Sequence, residues 1–271
     1  MRKSVVVTLL IVILGLASPA LAAPSDGFFE RGDDIYDSFG ISRNRSVGED
    51  GFFQLSDDNF DPIIARESMG ANTDIAWELG LSFAEKYPDH QQRAREIFNF
   101  VRDKLVYTSD IDEFGRDEFA QNADEVLETI IGNGRAPGDC EDGAVLLAVM
   151  YKAAGFRSAI ALAPGHAATV VYLPDYPRAA HVFTLEGQKG WIWAETTGNT
   201  NELGWLAPSL VGEPMVAREI SEQALEREDL TYRLTTLQPA SSQGGFSIGG
   251  ISPFFSVMLV LWIFSLMRRR R

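Results

Sequence analysis

The stretch "GDCEDGAVLLAVMYKAAG", residues 138–155, decides how the rest of the chain is read. The apolar run Ala144–Met150 covers every side of a helix, so this helix belongs in the centre of a domain rather than on its surface. Asp139 is a natural N-cap and Asp142, three residues on, completes the pattern of a capping box. Gly155 follows Lys152 as the expected C-terminal stop. Cys140, the only cysteine of the chain, therefore falls in the first turn of a buried helix, facing its unpaired N–H groups.

Upstream, the spacing predicts further helices. "NTDIAWELGLSFAEKYP" begins with a capping residue and stops at Pro88, and Asp89 caps a second helix with Ala94, Ile97, Phe98, Val101 and Leu105 on one face. "NADEVLETIIGNG" is a shorter helix ended by glycine, and His90 reads as a surface residue. Beyond Gly155 the period changes to two. "RSAIALA" and "HAATVVYL" read as strands around the turn at Pro164 and Gly165, and "AAHVFTLEGQKGWIWAETTG" reads as two more. The fold class is α+β, helices first, packed on an antiparallel sheet. Residues 203–238 read as polar, irregular and partly helical.

The ends are patterned differently. Arg2 and Lys3, the apolar run after them, and the small residues Ala20–Ala22 predict a signal peptide over 1–22 and export. An N-terminal extension, 23–70, contains the echo "DGFFERGDD" (26–34) and "DGFFQLSDD" (50–58), which lacks the alternating acids of a calcium loop and reads as aromatic plugs or chance. The main domain spans 71–238, followed by a flexible linker, 239–250. Residues 251–267 form an uncharged apolar run of about 26 Å as a helix, and Arg268–Arg271 follow it. A C-terminal transmembrane helix is expected, its arginines cytoplasmic and the domain outside. The order of tether, apolar span and arginines is also similar to the sorting tails of prokaryotic surface proteins, which are cut after use.

With 24 basic and 38 acidic residues the formal net charge is −14, and six of the basic residues lie in the two ends. Such a surface repels nucleic acid. An exported chain with one cysteine cannot form an internal disulfide, which leaves intermolecular pairing, an inert buried thiol or a nucleophile.

Three segments, "GDCEDGAVLLAVMYKAAGF", "PGHAATVVYL" and "WIWAETTG", resemble in that order the signature segments of the transglutaminase-like superfamily. The resemblance covers roughly residues 75–215. It implies a papain-like core with a Cys-His-acid triad, in which Cys140 is the nucleophile, His166 the base and Glu195 the acid that orients it. Glu195 stands where many members have aspartate. By strand alternation His166 shares a face with Ala168 and Val170, and Glu195 one with Trp191 and Trp193, so the N-terminus of a buried helix packed on that sheet could meet both side chains at one spot.

The three carboxylates beside the sulfur oppose a thiolate by about 1 kcal/mol each at ~7 Å in an intermediate dielectric. A close imidazolium favours it by about 6 kcal/mol. The expected activity is a cysteine hydrolase or acyl transferase acting on amides of proteins or peptides, with no cofactor called for. Two other readings stand beside it. One is a non-catalytic surface module that binds peptide or glycan in the same groove. The other is a metal site built from Cys140, His166, His181 and Glu195, although no two of these lie at short ligand spacing.

Overall fold

A computed structural model describes residues 28–32, 34–37, 43, 73–115, 119–220 and 235–240. Its centre is the helix of the opening stretch, α5 (Cys140–Ala153), in which every residue except Lys152 is buried. Three helices of more than two turns surround it: α1 (Asp74–Lys86), α2 (His90–Lys104) and α4 (Ala123–Asn133). Each starts where a capping residue stands in the sequence. Asp89 accepts the Gln92 N–H at 2.7 Å, and Asn122 forms a full capping box with Glu125. A short α3 (Asp110–Glu113) lies between α2 and α4.

Close packing of α1 on α5 depends on glycine. A Cβ on Gly80 would stand 2.6 Å from the Met150 carbonyl oxygen and 2.7 Å from Ala153 Cβ, so no larger residue fits without moving a helix.

The sheet follows: β5 (Ser158–Ala163), β6 (His166–Tyr172), β7 (Val182–Leu185) and β8 (Gln188–Ala194). These are the four strands expected from the period-two pattern. Three more strands belong to the same sheet: β9 (Val216–Glu219), β10 (Thr235–Thr236) and β11 (Gln238–Pro239), giving the order β10-β9-β5-β6-β8-β7-β11. Their pairing corrects the irregular reading of 203–238, since Val216 to Glu219 run antiparallel to β5. A four-residue strand with Arg and Glu in it carries too little alternation to declare itself.

One face of the sheet packs on α5 through Ile160, Leu162, Ala167, Val171, Ile192 and Ala194. The other face holds a second cluster around Trp191, Trp193, Phe183, Val170 and Leu206. The face that Ala168, Val170, Trp191 and Trp193 share is thus the one turned away from the cysteine helix, not the one on which it packs.

Two small pairs complete the described fold. β3 (Leu105–Tyr107) and β4 (Ala136–Gly138) run parallel, with Tyr107 opposite Gly138, and deliver the chain to Cys140. β1 (Phe28–Arg31) and β2 (Asp34–Asp37) form a hairpin in which Phe29 stacks on Tyr36 at 5.8 Å. Phe29 is exposed, so it is no plug; among the described residues of this region, Ile35 and Arg43 are buried. The signal segment, the second aromatic echo and the apolar run 251–267 lie outside the described residues. No helix among the described residues is long and apolar enough to cross a membrane.

Candidate functional site

His166 opens β6 immediately after the turn at Gly165, and Glu195 follows the last residue of β8. β6 and β8 are antiparallel neighbours with Thr169 opposite Ala194, so the start of one and the end of the other lie together. The register brings the two side chains into contact: His166 Nε2 pairs with Glu195 Oε2. With Nε2 engaged, the ring nitrogen left for another partner is Nδ1. The ring also lies beside Trp193, its centroid 6.4 Å away.

Glu195 is 4% exposed and its second oxygen is fully engaged. Oε1 accepts the Thr197 backbone N–H at 2.9 Å and the Thr197 hydroxyl at 2.6 Å. Burial alone would raise this carboxyl, but the bond and charge of His166, with both Thr197 donors, hold it below its ordinary range. Thr197 stands in plain view in "WAETTG", yet nothing local says that it clasps the glutamate two residues before it.

Cys140 is 7% exposed at the first turn of α5. The Sγ–H donates to Glu141 Oε2 at 3.1 Å, and the sulfur accepts the backbone N–H of Ala167, the residue after His166. The structure therefore joins His166 to Glu195 directly and brings Cys140 to the strand residue beside His166, while the sulfur's own hydrogen bonds go to Glu141 and Ala167. Burial pushes the thiol well up, with the charges of Glu141 and Asp139 adding to it and the Ala167 N–H opposing. The balance drawn from charges alone left out burial, which is the largest of these effects.

The mouth of α5 is held from outside by Gln121, a residue the sequence does not advertise. Asp142 is fully buried and accepts the Gln121 backbone N–H at 2.8 Å, the Gln121 side-chain amide at 3.0 Å and the Asp139 N–H at 3.2 Å. The last of these is one half of the capping box. Burial, then the Glu141 charge, raises Asp142 to about 7, with the Gln121 donors opposing. Burial, then Glu141, Asp142 and Asp110, pushes Asp139 up to about 12. Tyr107 lies at the same mouth; its phenol is raised first by burial, then by Asp139, Cys140, Glu141 and Asp110.

Among the described residues, two groups bring ligand-type atoms within 4.8 Å of one another: Asp139, Cys140 and Glu141, and Asp110, Asp139 and Asp142. Cys140, His166, His181 and Glu195 do not form such a group; His181 precedes β7, half-buried. The donor set of the two groups is mostly oxygen; Asp142 holds the helix start, and Glu141 accepts the Sγ–H.

No curated protein matches this chain. The family model of the transglutaminase-like superfamily matches residues 79–207, a span that runs from α1 through Cys140, His166 and Glu195 to the loop beyond β8. Residues 79–207 of this chain are a transglutaminase-like superfamily domain.

Proposed function

We propose that the protein is a cysteine hydrolase or acyl transferase acting on amide bonds of proteins or peptides. One observation supports this above the rest: the buried Glu195 pairs with His166 Nε2 at the end of the sheet, while the sulfur of the sole cysteine accepts the N–H of the next residue, Ala167.

In this reading the resting site holds a thiol, and the nucleophile forms as substrate is attacked. His166 Nδ1 takes the proton from Sγ, and Glu195 stabilises the imidazolium and fixes its orientation. The sulfur bonds to the carbonyl carbon, and the electron pair of the C=O shifts to oxygen. N–H groups at the start of α5 face that oxygen. Collapse of the intermediate breaks the C–N bond, and the imidazolium passes its proton to the leaving amine. The thioester is then resolved by water or by a second amine.

Trapping tests the reading. A peptidyl chloromethyl ketone added to the full chain should raise its intact mass by one peptidyl group. That adduct should be lost in Cys140→Ala and strongly slowed in His166→Ala. Equal labelling of the His166→Ala variant would remove the basis for a triad.

The raised thiol favours a second reading, a groove that binds peptide or glycan without chemistry. It expects ligand affinity indifferent to Cys140→Ala and no adduct. We also propose that the domain acts outside the cell, held by residues 251–267 with the arginines inside. Protease digestion of intact cells should then remove the domain and spare the C-terminal end.

A further inference from the structure

Arg43 is fully buried, although it lies outside the stretch that matches the family model. Burying a guanidinium is costly unless its charge and N–H groups are matched. Here they are. Nη2 pairs with Glu125 Oε2, Nε donates to the Ala120 carbonyl at 2.8 Å, and the guanidinium carbon stands 5.7 Å from the centre of the Phe119 ring. The Arg43 backbone repeats the grip: its carbonyl accepts the Ala120 N–H at 2.8 Å, and its N–H donates to the Ile35 carbonyl at 2.7 Å.

Ala120 is the middle of three residues that bridge to the mouth of α5. On one side the Phe119 N–H donates to Asp110; on the other the Gln121 N–H and side-chain amide donate to the two oxygens of Asp142. Asp142 in turn accepts the N–H of Asp139, the residue before the cysteine. The middle residue of the bridge is bound by Arg43 through both N–H and C=O, and its neighbours hold Asp110 and Asp142, two of the acids that meet Asp139 at the mouth of α5. An apolar residue would fill the space but could bind neither the Ala120 carbonyl nor Glu125. A lysine supplies a single charge rather than a fork that reaches both.

The geometry points to Arg43 as a positioning residue for the Cys140 site: by clamping Ala120 it fixes the amides that hold Asp110 and Asp142, and so the start of the cysteine helix. The functional unit then reaches back from residue 79 to include Arg43. The inference concerns the site proposed above and rests on that reading for its catalytic consequence, but the mechanical link can be measured without it.

The experiment compares full-length wild type with Arg43→Lys by two readouts. The first is amide exchange in peptides covering 119–122 and 138–143. The second is the pH profile of Cys140 alkylation by iodoacetamide. Exchange in both peptides should speed up by about tenfold, which corresponds to about 1.4 kcal/mol. An alkylation inflection set by Asp142, whose carboxyl lies at about 7, should move to higher pH, because the Gln121 donors hold that carboxyl down against its burial and the Glu141 charge. A role confined to general stability would not move that inflection.

Should Arg43→Lys fail to fold, Glu125→Gln loosens the same anchor from its far side, and the same shifts are expected on a smaller scale. Exchange in 138–143 and an inflection both unchanged, in whichever variant folds, would overturn the inference. Alkylation insensitive to His166→Ala would instead undo the functional reading, and the exchange data would still decide the role of Arg43.

Discussion

Glu195 and Asp142 are carboxylates of the same site, 4% and 0% exposed, and their acidities move in opposite directions. The number of donors does not explain it. Asp142 accepts three N–H groups, while Glu195 accepts the Thr197 N–H and hydroxyl and pairs with His166. The difference lies in the charge each can meet. Glu195 faces an imidazole that can become positive, whereas Asp142 faces Glu141. Burial penalises both; only one has a counter-charge to offset it. The sheet end of the site is thus built to keep an anion, and the helix end to keep protons, including the one on sulfur.

The sharpest way to break this contrast is Glu195→Gln. It preserves size but removes the charge that orients and stabilises the imidazolium. Single-turnover acylation should fall by about 10³- to 10⁴-fold, the scale for neutralising the acid of such a triad. Glu195→Asp, shorter by one methylene, should recover part of the loss. Acylation unaffected by Glu195→Gln would mean that the His166 contact is structural only.

The next effect is on stability, and its sign follows from the same shifts. Asp142 has its folded pKa raised from 3.8 to about 7, so between about 4 and 7 the folded state holds a proton that the unfolded state has lost. Its contribution is complete below about 4 and is lost as pH rises to about 7, on the order of 4 kcal/mol. Asp139, pushed to about 12, adds a slope of the same sign that continues past neutrality. Glu195 acts the other way: its lowered pKa gives stability that disappears as pH falls below its ordinary carboxyl range. Urea unfolding should therefore give a maximum on the acid side of neutrality, with the downward slope easing above pH 7. Asp142→Asn should flatten the limb below 7 and leave the acid limb alone. A profile that rises steadily from pH 5 to 8 would contradict the helix-end half of the contrast.

Gly143 joins the two halves. It lies one turn inside α5, and a Cβ there would come within 2.4 Å of Thr196 Oγ1 and 2.8 Å of Leu105 Cδ2. Thr196 is the residue after Glu195, so crowding at this point pushes the helix and the acid apart. Gly143→Ala should cost about 1 to 3 kcal/mol of stability, as overpacked cores do. It should also slow acylation by more than the stability loss explains at saturating substrate. Gly132→Ala, a helical position whose added Cβ meets nothing within 4 Å, is the control.

What the sequence showed and what it hid divide along the same line. The buried helix was legible because its apolar run leaves no polar face, and Asp139 and Asp142 announced its start. The four middle strands were legible by alternation, and the strand end at Ala194 put Glu195 where a pair with His166 was expected. The face on which α5 packs was not. His166, Ala168 and Val170 alternate correctly, but either face of a sheet buried on both sides reads as apolar, so alternation could not say which one meets the helix. Arg43 and Gln121 were hidden for another reason. Their contacts join residues far apart in the chain, and a lone arginine or glutamine in a polar stretch carries no periodic mark. Burial of the sulfur was implicit in the all-apolar helix, and its cost for the thiolate is larger than that of the neighbouring charges.

The smallest change is the most discriminating. Thr197→Val keeps the shape of the side chain and the backbone N–H bond to Glu195 Oε1, and removes only the hydroxyl bond at 2.6 Å. One buried hydrogen bond is worth about 1 kcal/mol, so stability should fall by about that much. If the sheet end works by keeping an anion, losing a donor raises the Glu195 carboxyl and shifts the acid limb of the acylation profile upward, with a few-fold lower rate at its plateau. If His166 alone holds Glu195 down, stability falls but the acid limb stays where it is. The counter-charge and the hydroxyl would then be separable, and the opposite behaviour of Glu195 and Asp142 would rest on the imidazole alone.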